Sequence, residues 1–496
     1  MNVILTSINA KYIHSNPAVY DLRAFASEYK EHILLGEYTI NQTKDEILKE
    51  IYRSGAEVVC FSCYIWNISF VRELIFDLKK ILPGTAFWVG GPEVSFDAEN
   101  FLKEMPQVTG VMVGEGEETF LELARYYIEK KGTLADIRGI AFRENGEIFH
   151  NGWREVMDLS RVPFAYEQTE DFANRIIYYE SSRGCPFSCS YCLSSIDKKL
   201  RFRNLELVKK ELQFFLDKKV PQVKFVDRTF NCKHDHAMEI WKYILEHDNG
   251  VTNFHFEISA DLLREEELEL MSRMRPGLIQ LEIGVQSTNP DTIRAIHRNM
   301  DLKKLEASVA RVKSFGNIHQ HLDLIAGLPG ESAEEMRDTL AQIEQLGPDS
   351  LTIHSLAIKR AAKMGQYAKA NRVSKAEETF SGEIGQMVED GAAAAKRMGL
   401  LPYYLYRQKN IAGNFENVGY AKVDKAGIYN ILIMEEKQTI VACGAGTTTK
   451  VVYPAEMTLE NGKSTNLIRI ENVKNITEYI SRIDEMIERK GEWLWR

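Results

Sequence analysis

The sequence predicts an α/β fold: a parallel sheet with helices on both faces (1–135), a hairpin and linker (136–175), a partial six-stranded parallel barrel (176–365) and an α+β C-terminal domain (366–496). Three observations carry this expectation. Short apolar runs alternate with amphipathic stretches up to about residue 130. Six strand-like runs alternate with helical patterns between 176 and 357, and a cysteine-rich loop stands where this second series begins.

Composition narrows the function classes. The chain of 496 residues has room for about three domains. Its 44% hydrophobic content is ordinary for a globular protein. No apolar run approaches the roughly 20 residues of a membrane span, and the first residues lack the basic-then-apolar layout of a secretory signal. A cytoplasmic location with no membrane partner is expected. The net charge of -9 gives no bulk attraction for a phosphate backbone, so nucleic acid has no support and the expected partner is a small-molecule substrate. Seven cysteines fit a reducing compartment better than a disulfide framework.

In the first domain, strands are expected at 2–8, 32–40, 58–64, 86–94 and 110–114, with helical patterns such as 18–29 and 70–82 between them. Ligands on such sheets bind at the carboxyl ends of the strands. Three ends are unusual: Ser62-Cys63-Tyr64, Gly90-Gly91-Pro92 and Gly114-Glu115-Gly116-Glu117. Paired glycines admit a ligand close to the backbone, although a glycine after a strand also serves as a plain turn. Cys60 and Cys63 stand three apart on a strand and so point to opposite faces, which argues against a second metal cluster there. Alternation about Glu144-Asn145-Gly146 reads as a hairpin over 137–150 with an Asn-Gly turn, and 151–175 as a linker.

The string Arg183-Gly184-Cys185-Pro186-Phe187-Ser188-Cys189-Ser190-Tyr191-Cys192 places three cysteines on one tight loop. Three thiolates so spaced can hold three irons of a [4Fe–4S] cluster and leave the fourth iron open for a ligand. A disulfide with a spare thiol and a zinc loop are the alternatives; zinc asks for a fourth Cys or His at close spacing, and none follows Cys192.

Barrel strands are expected at 176–182, 222–229, 253–259, 278–285, 319–325 and 350–357. The C-terminal ends of such strands carry the site, which draws attention to Asp227, Glu257 and Gln286; the alternative is a polar residue that merely caps a strand. Cys232 and His234-Asp235-His236 read as a solvated helix start rather than a metal site. Beyond the barrel come an amphipathic helix (375–398), a Tyr- and Gly-rich module (402–450) suited to cover the open barrel, and a last helix (476–490).

The cysteine string resembles the signature of the radical S-adenosylmethionine (SAM) enzymes. That resemblance implies Cys185, Cys189 and Cys192 as cluster ligands, SAM on the open iron, cleavage of SAM to a 5′-deoxyadenosyl radical, anaerobic conditions and an electron donor such as flavodoxin or ferredoxin. It also implies Asp227, Glu257 and Gln286 as SAM-binding candidates. The strand-end motifs at Ser62, Gly90, Gly91, Gly114 and Glu115 are similar to the Rossmann-like cobalamin-binding domain fused to many of these enzymes, and imply those residues as cobalamin contacts. One departure stands out. Where histidine-donating cobalamin domains have DxHxxG, this chain has Asn9, Lys11 and His14, so cobalamin is expected to bind without a histidine below the cobalt.

From about Asp323 onward the chain resembles a different group, the HemZ-type relatives of oxygen-independent coproporphyrinogen III dehydrogenase. The residues that carry this are Ser350 to Leu356, Pro402 to Asn410, Glu416 to Tyr420, Ile428 to Asn430, Met434 to Glu436 and Gly444-Ala445-Gly446. The two resemblances together read as a hybrid joined near Asp323 to Gly330. They imply a radical SAM enzyme that uses cobalamin to methylate or rearrange an unreactive carbon. The alternatives are decarboxylation of coproporphyrinogen III in porphyrin biosynthesis, with Tyr406 and Arg407 at the substrate propionates, and an inactive hybrid.

Overall fold

The computed structural model describes residues 2–10, 16–40, 42–166, 177–359, 362–370, 381–406, 417–423, 425–426, 441–458, 464–473 and 475–495. The chain divides into two compact units, Met1–Tyr429 and Asn430–Arg496.

The first unit begins with strands β1 (Val3–Asn9), β2 (Ile33–Thr39), β3 (Val58–Ser62), β4 (Ala86–Gly90), β5 (Gly110–Met112), β6 (Ile140–Glu144) and β7 (Glu147–His150). They form one sheet in the order β2-β1-β3-β4-β5-β6-β7, the first five parallel. Apolar side chains alternate between its faces. Ile4, Val59 and Phe61 lie in one core cluster, Val3, Val58 and Cys60 in the other, as expected of strands covered on both sides. Cys60 and Cys63 accordingly fall in different clusters. The expected hairpin is present, with Asn145 and Gly146 at φ 50° and 86°, the left-handed pair that a two-residue turn requires. It is not a free-standing connector: β6 pairs antiparallel with β5 and prolongs the sheet.

The barrel strands are β8 (Ile177–Tyr179), β11 (Gln222–Phe225), β12 (Asn253–Ile258), β13 (Ile279–Gln286), β14 (His319–Ala326) and β15 (Ser350–Ser355), and a short pair, β9 (Ser182–Arg183) and β10 (Arg201–Phe202), flanks the cysteine loop. The six expected strands lie side by side and parallel. Two described segments of the module expected to cover the barrel lengthen its sheet, while 407–416 and 427–440 lie outside the described residues. Strands β16 (Leu401–Tyr406) and β17 (Asn417–Ala421) add antiparallel beyond β15. The helix Ser381–Arg397 buries Ile384, Met387, Ala394 and Ala395 in the same core as the barrel strands.

The sheet runs unbroken through the region where the two sequence resemblances meet. Leu322 faces Leu351 and Leu324 faces Ile353 in register, and all four belong to one core. After β14, Gly327 has φ +86°, and a Cβ there would fall 2.8 Å from Ile384. This turn ends at Glu331, which is 3% exposed, accepts a hydrogen bond from the Ser287 hydroxyl and leaves its second oxygen without a partner among the described residues.

Burial pushes the Glu331 carboxyl up to about 7 from 4.5. Its stabilising contribution is therefore complete below the unfolded value and lost as pH rises through the folded one. Glu331→Gln is expected to be about 3 kcal/mol more stable than the parent at pH 8 and equal to it at pH 4.5, by chemical denaturation at both pH values.

The second unit contains the antiparallel ribbon β18 (Thr448–Thr458) and β19 (Ser464–Glu471), followed by helices Ile476–Ser481 and Ile483–Leu494. Val451, Ile468 and Ile470 form its small core, with Trp493 and Leu494 against it.

Candidate functional site

The three loop cysteines converge on a cavity of about 130 Å³ together with Arg228, Thr229, Glu257 and Arg298. Gly184 makes the loop possible. At φ +95° it turns the chain back on itself, and a Cβ there would meet the Lys199 carbonyl at 2.6 Å. Backbone bonds then fix the loop. Cys185 N–H donates to Asp197 O (3.0 Å), Ser190 N–H to Ile296 O (2.9 Å) and Cys192 N–H to Cys189 O (3.1 Å). All three thiols are free. Arg298 Nη1 lies 3.9 Å from Cys189 Sγ and its Nη2 donates to Gly284 O, while its Nε is buried with no partner among the described residues. Burial pushes the Cys189 thiol up, and the Arg298 charge acts against that shift.

Beneath the loop lies Asp227, fully buried. Its carboxylate accepts from Ser181 N–H (2.9 Å), Ser181 Oγ (2.7 Å) and Ser182 Oγ (2.5 Å), and Ser181 Oγ also meets His236 Nε2 at 3.1 Å. Burial raises the Asp227 carboxyl to about 6, with the serine hydrogen bonds opposing it. Inside the barrel, Lys224 Nζ sits 3.0 Å from Glu282 and 3.6 Å from Glu257. Burial raises the Glu257 carboxyl and Lys224 pulls it back.

A second cavity, about 970 Å³, opens at the carboxyl ends of β3, β4 and β5 and reaches the barrel mouth. Ser62, Gly90, Gly91, Gly114 and Glu115 all line it. Gly91 has φ +108°, and a Cβ would lie 2.6 Å from the Cys63 carbonyl. Tyr64, also in the lining, stacks on Trp66 with ring centres 4.5 Å apart. An ion-pair network joins this cavity to the base of the cysteine loop. Arg183 binds Glu115 (2.7 Å), Glu117 (3.0 Å) and Glu180 (2.7 Å), and Arg201 also binds Glu115 (2.9 Å). Asp21 is half-buried, and desolvation together with the nearby Glu117 and Glu180 charges holds its carboxyl well above the ordinary range. Ser194 and Arg228 line both cavities.

Residues 5–124 match the model of the B12 binding domain, and residues 179–343 that of the radical SAM superfamily. The chain carries a B12-binding domain followed by a radical SAM domain. These domains imply cobalamin, a [4Fe–4S] cluster and SAM. Similar proteins include the oxygen-independent coproporphyrinogen-III oxidase-like protein HemZ of Bacillus subtilis, 36% identical over 47% of this chain and 44% of that one. The cobalamin-dependent radical SAM methyltransferase TokK of Streptomyces tokunonensis is 25% identical over 61% of this chain and 47% of its own. The chain thus spans about half the length of these two relatives. Among solved structures, the radical SAM methyltransferase TsrM from Kitasatospora setae, with cobalamin and a [4Fe–4S] cluster bound, superposes with a TM-score of 0.62 at 16% identity, covering 85% of this chain and 88% of that one. The cobalamin-dependent radical SAM enzyme OxsB gives 0.58 at 17% identity, covering 75% and 55%. At these identities the likeness is one of fold.

The two domains bring together most of the residues singled out in the sequence. In the radical SAM domain the donor set fits an iron–sulfur cluster: three soft thiol ligands line one small cavity with a half-buried arginine beside them, and no fourth Cys or His is in its lining among the described residues. Among the described residues no three His, Cys, Asp or Glu side chains gather as a single metal ion would need. In the B12-binding domain the glycines at Gly90, Gly91 and Gly114 leave the floor of the large cavity without side chains.

Other expectations change. Asp227 lines neither cavity, because its carboxylate is consumed by Ser181 and Ser182; the neighbouring Arg228, in the turn that follows β11, lines both. Gln286 ends β13 at φ +74°, at a bulge after Gly284, and lines neither cavity. Glu115 spends its carboxylate on Arg183 and Arg201. His236 is 2% exposed against Ser181 and the half-buried His234 pairs with Glu267, whereas Asp235 is exposed, so one side of that helix start is packed and the other solvated. Asn9 donates to Glu37. Lys11, His14, Arg407 and the Tyr406 side chain lie outside the described residues. Arg228, Thr229 and Arg298 were not legible as site residues. No helix among the described residues is long and apolar enough to cross a membrane.

Proposed function

We propose that this chain is a radical SAM methyltransferase that uses cobalamin and acts on a small molecule. The observation that carries this reading is the junction of the two cavities at Ser194 and Arg228, which gives one substrate access to both. When bound, the cluster supplies the electron that cleaves SAM to a 5′-deoxyadenosyl radical, and cobalamin supplies methyl-transfer chemistry. The protein contributes position and shielding. Cys185, Cys189 and Cys192 hold the cluster on a loop pinned from both sides, and Glu257 offers a carboxylate to the SAM ammonium or ribose. Ser62, Gly90, Gly91 and Gly114 shape the corrin floor, and the Arg183–Glu115 pair keeps the two domains in fixed relation. A flavodoxin- or ferredoxin-type donor delivers the electron, and the reaction belongs to the cytoplasm.

The HemZ match supports a second reading, decarboxylation of coproporphyrinogen III. Protein reconstituted anaerobically with iron and sulfide separates the two. Retention of hydroxocobalamin through desalting, with coproporphyrinogen III unchanged in mass after incubation with SAM and reductant, is the expected result. Loss of carboxyl groups from the tetrapyrrole without retained cobalamin would establish the second reading instead.

Arg298 gives a separate prediction. A guanidinium beside a cluster thiolate favours the more negative, reduced cluster. Arg298→Gln is expected to keep its iron but lower the cluster potential by about 60 mV, a tenfold change in a one-electron equilibrium, in an EPR-monitored redox titration.

A further inference from the structure

We infer that the substrate carries an anionic group, a carboxylate or phosphate, and that Arg228 binds it at the junction of the two cavities. The inference rests on the proposed methyl transfer, which asks the reacting carbon to be reached from the cluster side and from the corrin side.

Among the described residues, only Ser194 and Arg228 belong to both linings. The other arginines of the large cavity are already matched: Arg183 to Glu115, Glu117 and Glu180, Arg203 to Glu211, and Arg154 to Glu118 and Glu122. The Arg228 side chain is exposed and has no hydrogen bond or ion pair among the described residues; only its backbone carbonyl is engaged, by the Thr229 hydroxyl at 2.8 Å. The Arg228 charge acts on the ionisation of Tyr64 on the B12-binding side and of Glu257 on the cluster side, so the guanidinium is within electrostatic range of both. Glu155 and Lys199 are also exposed, but they line the large cavity alone.

The backbone at Arg228 is held from both neighbours. Asp227 is anchored to Ser181 and Ser182, and Thr229 Oγ1 lies 3.9 Å from Cys185 Sγ. An unpaired guanidinium on a fixed backbone, in a concave site, is a pre-organised receptor for a planar or tetrahedral oxyanion, which it can grip through two parallel N–H donors.

SAM brings a carboxylate of its own, so the test separates the sources. Full-length protein reconstituted with cluster, hydroxocobalamin and SAM is treated with phenylglyoxal, and modification of Arg228 is followed by peptide mass spectrometry against exposed arginines elsewhere in the chain. The expected result is that Arg228 reacts in the loaded protein within twofold of its rate without SAM or cobalamin. Inorganic phosphate or acetate then slows it at least fivefold, whereas chloride at equal ionic strength does not. Protection of tenfold by SAM alone or by cobalamin alone would assign Arg228 to that molecule and overturn the inference, as would an Arg228 that neither anion protects or that never reacts. Retained cobalamin and 5′-deoxyadenosine are scored on the same sample. Their absence counts against the methyltransferase reading itself, whereas their presence beside an unprotected Arg228 counts against this inference alone.

Discussion

Cys185→Ala is expected to abolish SAM cleavage while leaving the fold and cobalamin retention intact. Cys185 contributes one of three thiols to the small cavity and none of the lining of the large one. Its backbone N–H, which ties the loop to Asp197, survives the substitution. The stability cost is about 1 kcal/mol, that of removing one small buried group. Iron content should fall with 5′-deoxyadenosine formation, which drops to background, while the apparent affinity for hydroxocobalamin stays within twofold. Loss of cobalamin together with iron would mean that the two cavities are not separate binding sites.

Gly91→Ala is expected to do the reverse. The new Cβ would fall 2.6 Å from the Cys63 carbonyl, a backbone atom that cannot swing aside, and φ +108° is a conformation that L side chains rarely adopt. The combined strain costs about 2 kcal/mol and displaces the chain at the floor of the large cavity. Cobalamin retention should fall at least tenfold while iron per chain is unchanged. Gly90→Ala is the control. Its Cβ would meet Met112 at an ordinary 3.5 Å, so stability should change by less than about 1 kcal/mol. Equal effects at both positions would remove the conformational argument for Gly91.

The parts of this protein that were legible in its sequence depend on short-range signals. Three cysteines in one loop, glycines after strands, and the rhythm of apolar runs located the barrel strands and the parallel core of the first sheet. Strand-end logic then brought Ser62, Gly90, Gly91 and Gly114 to one cavity and Glu257 to the other. What was not legible depends on distance or on parity. Arg298 reaches Cys189 from 109 residues away, from a loop with no motif of its own. Asp227 and Arg228 exchange roles because the chain turns just beyond the end of β11, and nothing local tells which of two adjacent polar side chains faces the barrel mouth. Strands β16 and β17 looked like a cover because antiparallel addition to a sheet edge leaves no local signature beyond a polar, aromatic run.

The account stands or falls on whether cobalamin takes part in the use of SAM. The most direct measurement is S-adenosylhomocysteine, the methyl-depleted product of SAM, from anaerobically reconstituted protein with reductant, in the presence and absence of hydroxocobalamin. The expected result is S-adenosylhomocysteine that appears only with cobalamin and is lost in Gly91→Ala. SAM consumed solely to 5′-deoxyadenosine, at the same rate with and without cobalamin, would contradict it.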